Sequence, residues 1–163
     1  MRLAASKILA LDKLRTCISD ARAKGKCVVF ANGCFDMLHV GHIRYLQGAK
    51  DEGDLLIVGV NSDESVRKLK GPGRPVLDEQ ARAQLVAAVR PVDYVILFSG
   101  LNVESLLEIL RPDVHAKGTD YTVESVPERA AAEHLGIRIA IVGDPKDHST
   151  GALLETIRKD AHD

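Results

Sequence analysis

The chain reads as an α/β protein: a Rossmann-like, doubly wound, mostly parallel five-stranded sheet in a single domain. Three observations predict this. Short apolar runs alternate with amphipathic stretches along the whole of the 163 residues. No internal repeat, low-complexity segment or composition shift interrupts that alternation. The first apolar run hands over to a helix through Asn32-Gly33, the kind of strand-to-helix junction where such sheets bind ligands.

The elements follow in order. Residues 6–24 place Ile8, Leu11, Leu14, Ile18 and Ala21 at helical spacing, and Gly25 ends the helix. Residues 1–25 are read as an N-terminal helix packed on the sheet or on a second subunit, and residues 26–163 as the main domain. Val28-Val29-Phe30-Ala31 is a buried strand, β-branched and aromatic. A brief loop leads to His39-Val40-Gly41-His42 and a helix through Ile43, Leu46 and Ala49 that ends near Gly53. Asp54 to Val60 is a second apolar strand, so the two strands and their helix form a right-handed βαβ unit.

Residues 67–76 hold two Gly and two Pro, which predicts a loop, here carrying Arg67, Lys68, Lys70 and Arg74. Asp78 caps a helix that runs to about Val89. Asp93–Phe98 is the third strand, Val103–Leu110 a helix, and Pro112–Ala116 a fourth strand running into the turn Lys117-Gly118-Thr119-Asp120-Tyr121. Glu124–Leu135 reads as a helix broken near its start by Pro127, and Ile137–Val142 as the fifth strand. A polar loop over Gly143–His148 precedes Ser149-Thr150, N-cap residues that open a last helix from Gly151 to about Lys159.

Composition narrows the partners. Lys+Arg is 22 against 23 Asp+Glu, a net charge of -1, so a bulk basic face for nucleic acid is not expected. Aromatic residues make up 4% and Trp is absent, which argues against base-stacking surfaces. Cys17, Cys27 and Cys34 form neither a disulfide framework nor a C-x-x-C pair, and Cys34 shows no activating neighbour for a nucleophile. No leader or membrane-length apolar run is visible, and a reducing cytoplasm fits the whole.

The chemistry concentrates at the strand edge. His39 and His42 lie at i and i+3 on the first turn of a helix, beside Gly41, whose missing side chain lets a ligand approach the backbone. A helix N-terminus favours an anion, and two imidazoles add donors for it. The basic loop and Ser149-Thr150 are two further phosphate grips. There is no G-x-x-x-x-G-K-[ST], no G-x-G-x-x-G and no G-x-S-x-G, so P-loop, dinucleotide and serine-hydrolase readings fail. A structural zinc site needs three or four ligands, and His115, His134, His148 and His162 are scattered, so no metal ligand is assigned. A non-catalytic nucleotide- or metal-binding module remains as the alternative class.

Gly33, Phe35, Asp36, His39, Gly41 and His42 form G-x-F-D-x-x-H-x-G-H directly after a strand. This resembles the signature of the cytidylyltransferase-like nucleotidyltransferases. Over about residues 7–160 the chain is similar to the adenylyltransferase half of the bifunctional heptose-phosphate kinase/adenylyltransferases. Val60–Asp63, Lys68–Gly71 with Arg74-Pro75-Val76, Val92–Val95, Lys117–Tyr121 and Ser149-Thr150 match in order and spacing. Glycerol-3-phosphate cytidylyltransferase is a weaker match and gives the rival reading, a cytidylyltransferase acting on a phosphorylated alcohol or another sugar.

The resemblance implies in-line attack by a sugar 1-phosphate, most closely D-glycero-D-manno-heptose 1-phosphate, on the α-phosphorus of ATP with Mg2+. ADP-heptose and pyrophosphate would result, with no covalent enzyme intermediate. It implies His39, His42 and Lys70 as catalytic residues. Asn32, Gly33, Cys34, Phe35, Gly41, Arg82, Lys117, Gly118, Asp120, Ser149 and Thr150 would bind the nucleotide. Asp36, Asn61, Lys70 and Arg74 would bind the acceptor, with Asp36 orienting its phosphate or a magnesium ion, and Arg82 placed on the leaving phosphates or positioning the lid. It also implies a separate upstream sugar kinase and a homodimer. Two positions depart from the family pattern: Thr119 stands where Gly is common, and Gly151 where Thr is common.

Overall fold

A computed structural model describes residues 3–145 and 149–160. Its centre is strand β1, Val28–Gly33, which pairs in parallel with β2, Leu55–Asn61, on one side and with β4, Val114–Gly118, on the other. β3, Tyr94–Phe98, joins β2, and β5, Arg138–Val142, joins β4, both also in parallel. The order β3-β2-β1-β4-β5 makes a five-stranded, all-parallel sheet. The chain winds outward from β1 in both directions, so the topological switch point lies between β1 and β4.

Alternation along the strands sorts the helices into two layers. Val29 and Ala31 face α2, Val40–Asp51, and α4, Glu79–Ala88, in a core with Leu46, Val86 and Ala87. Val28 and Phe30 face the opposite way, against Leu14 and Ile18 of α1, Leu11–Ala23, and Leu107 and Leu110 of α5, Glu104–Leu110. Ala132 of α6, Arg129–Leu135, completes that second core. Helices therefore cover both faces, which is why the strands carry near-continuous apolar runs. The final helix α7, Thr150–Asp160, is largely exposed.

Four boundaries differ from expectation. The N-terminal helix starts at Leu11, not residue 6. Ala4–Lys7 forms a 3-10 turn, Ile8 bridges Val95, and Lys7 Nζ donates to Val92 O at 2.7 Å, so this segment extends along β3. The span read as a loop from residue 67 contains the end of a helix, α3, Asp63–Lys70. Ser62 caps it by accepting from Ser65 N, and acidic residues open it and basic ones close it, in accord with the helix dipole. Its weak apolar signal, Val66 and Leu69 only, hid it beside the Gly/Pro-rich loop. Finally, Lys117 and Gly118 end β4 rather than lying in a turn, and the expected helix from Glu124 splits into a 3-10 turn, Val123–Ser125, and α6. Pro127, which cannot donate a backbone bond, lies between them.

Candidate active site

The carboxyl ends of the strands open into one cleft of about 600 Å³. All the residues assigned to the site from sequence line it, with the exception of Arg82. Residues from four separate stretches meet there: the signature loop, Lys70 with Arg74, Lys117 to Asp120, and Ser149 with Thr150.

The signature loop is built around Phe35. Its ring is buried and lies over Gly33, where an added Cβ would come within 3.1 Å of the Phe35 ring atoms. Phe35 also takes φ of +49°, a left-handed conformation uncommon for a bulky residue. That strained turn delivers the chain to α2, whose N-cap is His39. The His39 and His42 rings stack with centroids 3.9 Å apart, and Phe35 packs on His42 at 5.3 Å. His42 Nδ1 accepts from the His39 backbone N–H at 3.4 Å, which puts the ring proton on Nε2 as a hydrogen-bond donor. Tyr45, one turn on, donates to Ala116 O at 2.9 Å and so ties α2 to β4 across the switch point. Burial pushes the Tyr45 phenol well above its ordinary range.

Asp36 is buried and serves the loop that follows α3. Its carboxylate accepts from Arg74 Nε, Val76 N at 2.7 Å and Leu77 N at 3.1 Å. Its oxygens are thus engaged by the protein's own N–H groups, an anchoring task that differs from the expected one of orienting a phosphate or a metal. For Arg82 the structure favours the second of the two expected roles, positioning the basic loop, over contact with the leaving phosphates. Arg82 is fully buried beneath the cleft, where Nη1 donates to Cys34 O at 2.6 Å, Nε to Leu77 O at 3.0 Å and Nη2 to Asp63 at 2.8 Å. A fully buried arginine with each guanidinium nitrogen engaged in this way clamps the signature loop, the basic loop and α3 together. Of the four cations of the basic stretch, Lys70 and Arg74 line the cleft, whereas Lys68 pairs with Glu64 on α3 at 2.6 Å.

Cys34 lies in the cleft wall, and burial pushes its thiol upward, the reverse of nucleophile activation. Asn61 Nδ2 donates to Gly100 O at 3.3 Å, which brings the loop after β3 into the wall. On the other side, the Thr119 hydroxyl donates to Asp144 O at 2.6 Å, and Arg44 pairs with Asp144 at 3.3 Å. Thr119 has no left-handed φ, so its β-carbon costs the turn nothing. The Ser149 hydroxyl accepts from Ala152 N at 3.1 Å and caps α7. A Cβ on Gly151 would meet only Ser149 Oγ, at 3.8 Å. Lys146, Asp147 and His148 of the expected polar loop, and His162, lie outside the described residues.

Sequence reasoning missed Tyr45, Phe98, Leu101, Asn102, Tyr121 and Glu128 as lining residues. Tyr45 alone left a signal, a phenol on the otherwise apolar face of α2. Among the described residues no group of three or more His, Cys, Asp or Glu could hold a metal ion. The donor set does not form a cage for magnesium, since Asp36 is spent on three N–H groups. No helix among the described residues is long and apolar enough to cross a membrane.

Comparison with known proteins agrees with this geometry. A family model described as cytidylyltransferase-like matches residues 30–157. The chain is 46% identical over 152 residues to the bifunctional protein HldE of Syntrophotalea carbinolica, covering 93% of this chain and 31% of that protein. It is also 46% identical over 154 residues to the bifunctional protein HldE of Geobacter sulfurreducens, covering 94% and 31%. The chain thus spans about a third of the length of these curated relatives. The crystal structure of the lipopolysaccharide core biosynthesis protein from Thermoplasma volcanium GSS1 superposes with a TM-score of 0.64 at 28% identity, over 75% of this chain and 100% of that one. Pantoate-beta-alanine ligase from Francisella tularensis shares the fold, with a TM-score of 0.57 at 18% identity over 88% of this chain and 68% of that one. The family match runs from β1 through the signature loop and the cleft strands into α7, and the chain belongs to the cytidylyltransferase-like family.

Proposed function

We propose that the chain transfers AMP from ATP to a sugar 1-phosphate, D-glycero-D-manno-heptose 1-phosphate, yielding ADP-heptose and pyrophosphate. The observation that carries this reading is the convergence, in one cleft, of two stacked histidines, a capped helix start at Ser149-Thr150 and two cations, Lys70 and Arg74. Those groups suit one anionic ligand on the histidine side and a second on the cation side. The name of the Thermoplasma neighbour and the 46% identity to the bifunctional HldE proteins support the sugar-phosphate branch.

In this reading an oxygen of the sugar phosphate attacks the α-phosphorus in line. The new P–O bond forms as the bond to the bridging oxygen breaks, and the electron pair leaves with pyrophosphate. The chain contributes placement and charge. His39 and His42 would donate to the α-phosphate, His42 through Nε2, as charge builds on its oxygens. Ser149, Thr150 and the start of α7 would hold the β- and γ-phosphates, and Lys70 and Arg74 the acceptor. Magnesium would arrive on the triphosphate as its substrate complex. An upstream kinase supplying the sugar 1-phosphate, a homodimer and a cytoplasmic location belong to the same proposal.

The test is a panel of nucleotides against acceptors scored by pyrophosphate release. ATP with the heptose 1-phosphate is expected to be fastest. Equal or faster release with CTP and glycerol 3-phosphate would replace this reading by the cytidylyltransferase one. Release that survives His42→Ala undiminished would remove the histidine pair from the chemistry.

A further inference from the structure

Below the cleft, on the α1/α5/α6 side of the sheet, is a buried polar layer that the reaction as described does not use. β1 and β4 run in register from Val29↔Val114 to Ala31↔Ala116, so Asn32 and Lys117 follow as neighbours at the switch point. Both line the cleft. Each is held by a buried residue, Asn32 by His115 and Lys117 by Glu128, which also reaches the cleft wall. His115, fully buried and ring-packed on Phe30 at 5.9 Å, contacts Asn32 Oδ1 through Nε2 at 3.2 Å. An amide oxygen can only accept, so the imidazole donates, and the Asn32 Nδ2 donors are turned away from His115. Glu128, 2% exposed, accepts from Val103 N at 3.4 Å through Oε1. Its Oε2 faces Lys117 Nζ at 3.5 Å, an ion pair, and accepts no hydrogen bond among the described residues. The Tyr121 ring meets the same ammonium at 4.7 Å.

A carboxylate and an ammonium almost wholly buried are costly to desolvate, and a loose pair returns little of that cost. Two buried polar atoms without a hydrogen bond among the described residues, Glu128 Oε2 and His115 Nδ1, persist in the same layer. Such exceptions in a well-packed core call for a reason. The shared reason is orientation: each residue holds one donor group at the crevice where this sheet binds ligands. We propose that His115 and Glu128 are positioning residues for a two-donor floor, the Asn32 amide and the Lys117 ammonium, which takes acceptor oxygens of a bound phosphate ester. Either the nucleotide or the sugar phosphate supplies those oxygens. The inference rests on the transfer reading for the identity of the esters, but its test needs no turnover.

Two double-mutant cycles decide it, Glu128→Gln with Lys117→Met and His115→Leu with Asn32→Ala. Binding of Mg-ATP and of heptose 1-phosphate is titrated separately by calorimetry, which identifies the source of the oxygens. Glu128→Gln and His115→Leu are each expected to weaken one of the two ligands by about tenfold or more. Each is expected to add less than about twofold once its partner is already replaced. In turnover the loss appears in the KM of that ligand and not of the other. Losses that multiply within a cycle, or unchanged binding of both ligands, overturn the proposal. Should Glu128→Gln fail to fold, Glu128→Leu with Lys117→Met removes both charges together. That variant must bind as Lys117→Met alone binds, and a further loss overturns the proposal. Absence of pyrophosphate from every pair in the wild-type panel defeats the transfer reading and leaves the cycles to stand on binding.

Discussion

Single residues at the signature turn carry the sharpest predictions. His42→Ala removes an Nε2 donor that the His39 N–H contact has set in place. The expected loss in kcat is about 10²–10³-fold, the usual cost of one donor to developing charge, measured by pyrophosphate release. Gly33→Ala presses a methyl against the Phe35 ring, which cannot retreat easily because its backbone is already left-handed. The expected cost is about 1–3 kcal/mol in denaturant unfolding, as for other overpacked sites. Because Phe35 also packs on His42, the same variant should lower kcat. Normal stability together with normal kcat would show that the ring adjusts freely.

Among the elements, α3 and α4 depend on one side chain. Arg82 of α4 reaches Asp63 at the start of α3, and Glu79 Oε2 accepts from Asp63 N at 2.8 Å. Arg82 also holds the carbonyls of Cys34 and Leu77, so both the signature loop and the basic loop hang from α4. Arg82→Met leaves a carboxylate and two carbonyls without their donor. A loss of about 3–5 kcal/mol is expected, read from chemical denaturation. The basic loop should become susceptible to proteolysis between Gly71 and Leu77. Unchanged stability would mean that water replaces all three bonds. Lys70 and Arg74 keep their place at the cleft only while this clamp and Asp36 hold.

For the molecule as a whole, pH acts through the seam between β1 and β4. Burial, aided by the nearby Lys117 charge, lowers the pKa of His115 from 6.5 to about 3. Above pH 6.5 the imidazole is neutral in both states and costs nothing. As pH falls below that value the unfolded chain gains a proton that the folded chain refuses. Stability should then decline by about 1.4 kcal/mol per pH unit from this group, down to its folded pKa. Subtracting the unfolding curve of His115→Gln from that of the wild type isolates the effect. A difference that is flat across this window would refute the assignment of a neutral, buried His115.

Local pattern made much of this molecule legible in advance. A strand reads from a β-branched run, a helix from its period, and the His39–His42 pair from a strand that ends at Asn32-Gly33, because each depends on residues near one another in the chain. The doubly wound sheet and the convergence of the signature loop, the basic loop and Ser149-Thr150 on one edge followed from alternation alone. Tertiary structure decided what depends on distant partners. It buried Arg82 beneath the cleft and gave it to Cys34, Leu77 and Asp63. It turned Asp36 toward Arg74, Val76 and Leu77, and brought Glu128 to Lys117 and His115 to Asn32. A charged or polar side chain has the same appearance in the sequence whether it meets solvent, a ligand or a buried partner. Only the packing that strips away its water settles which of these it meets.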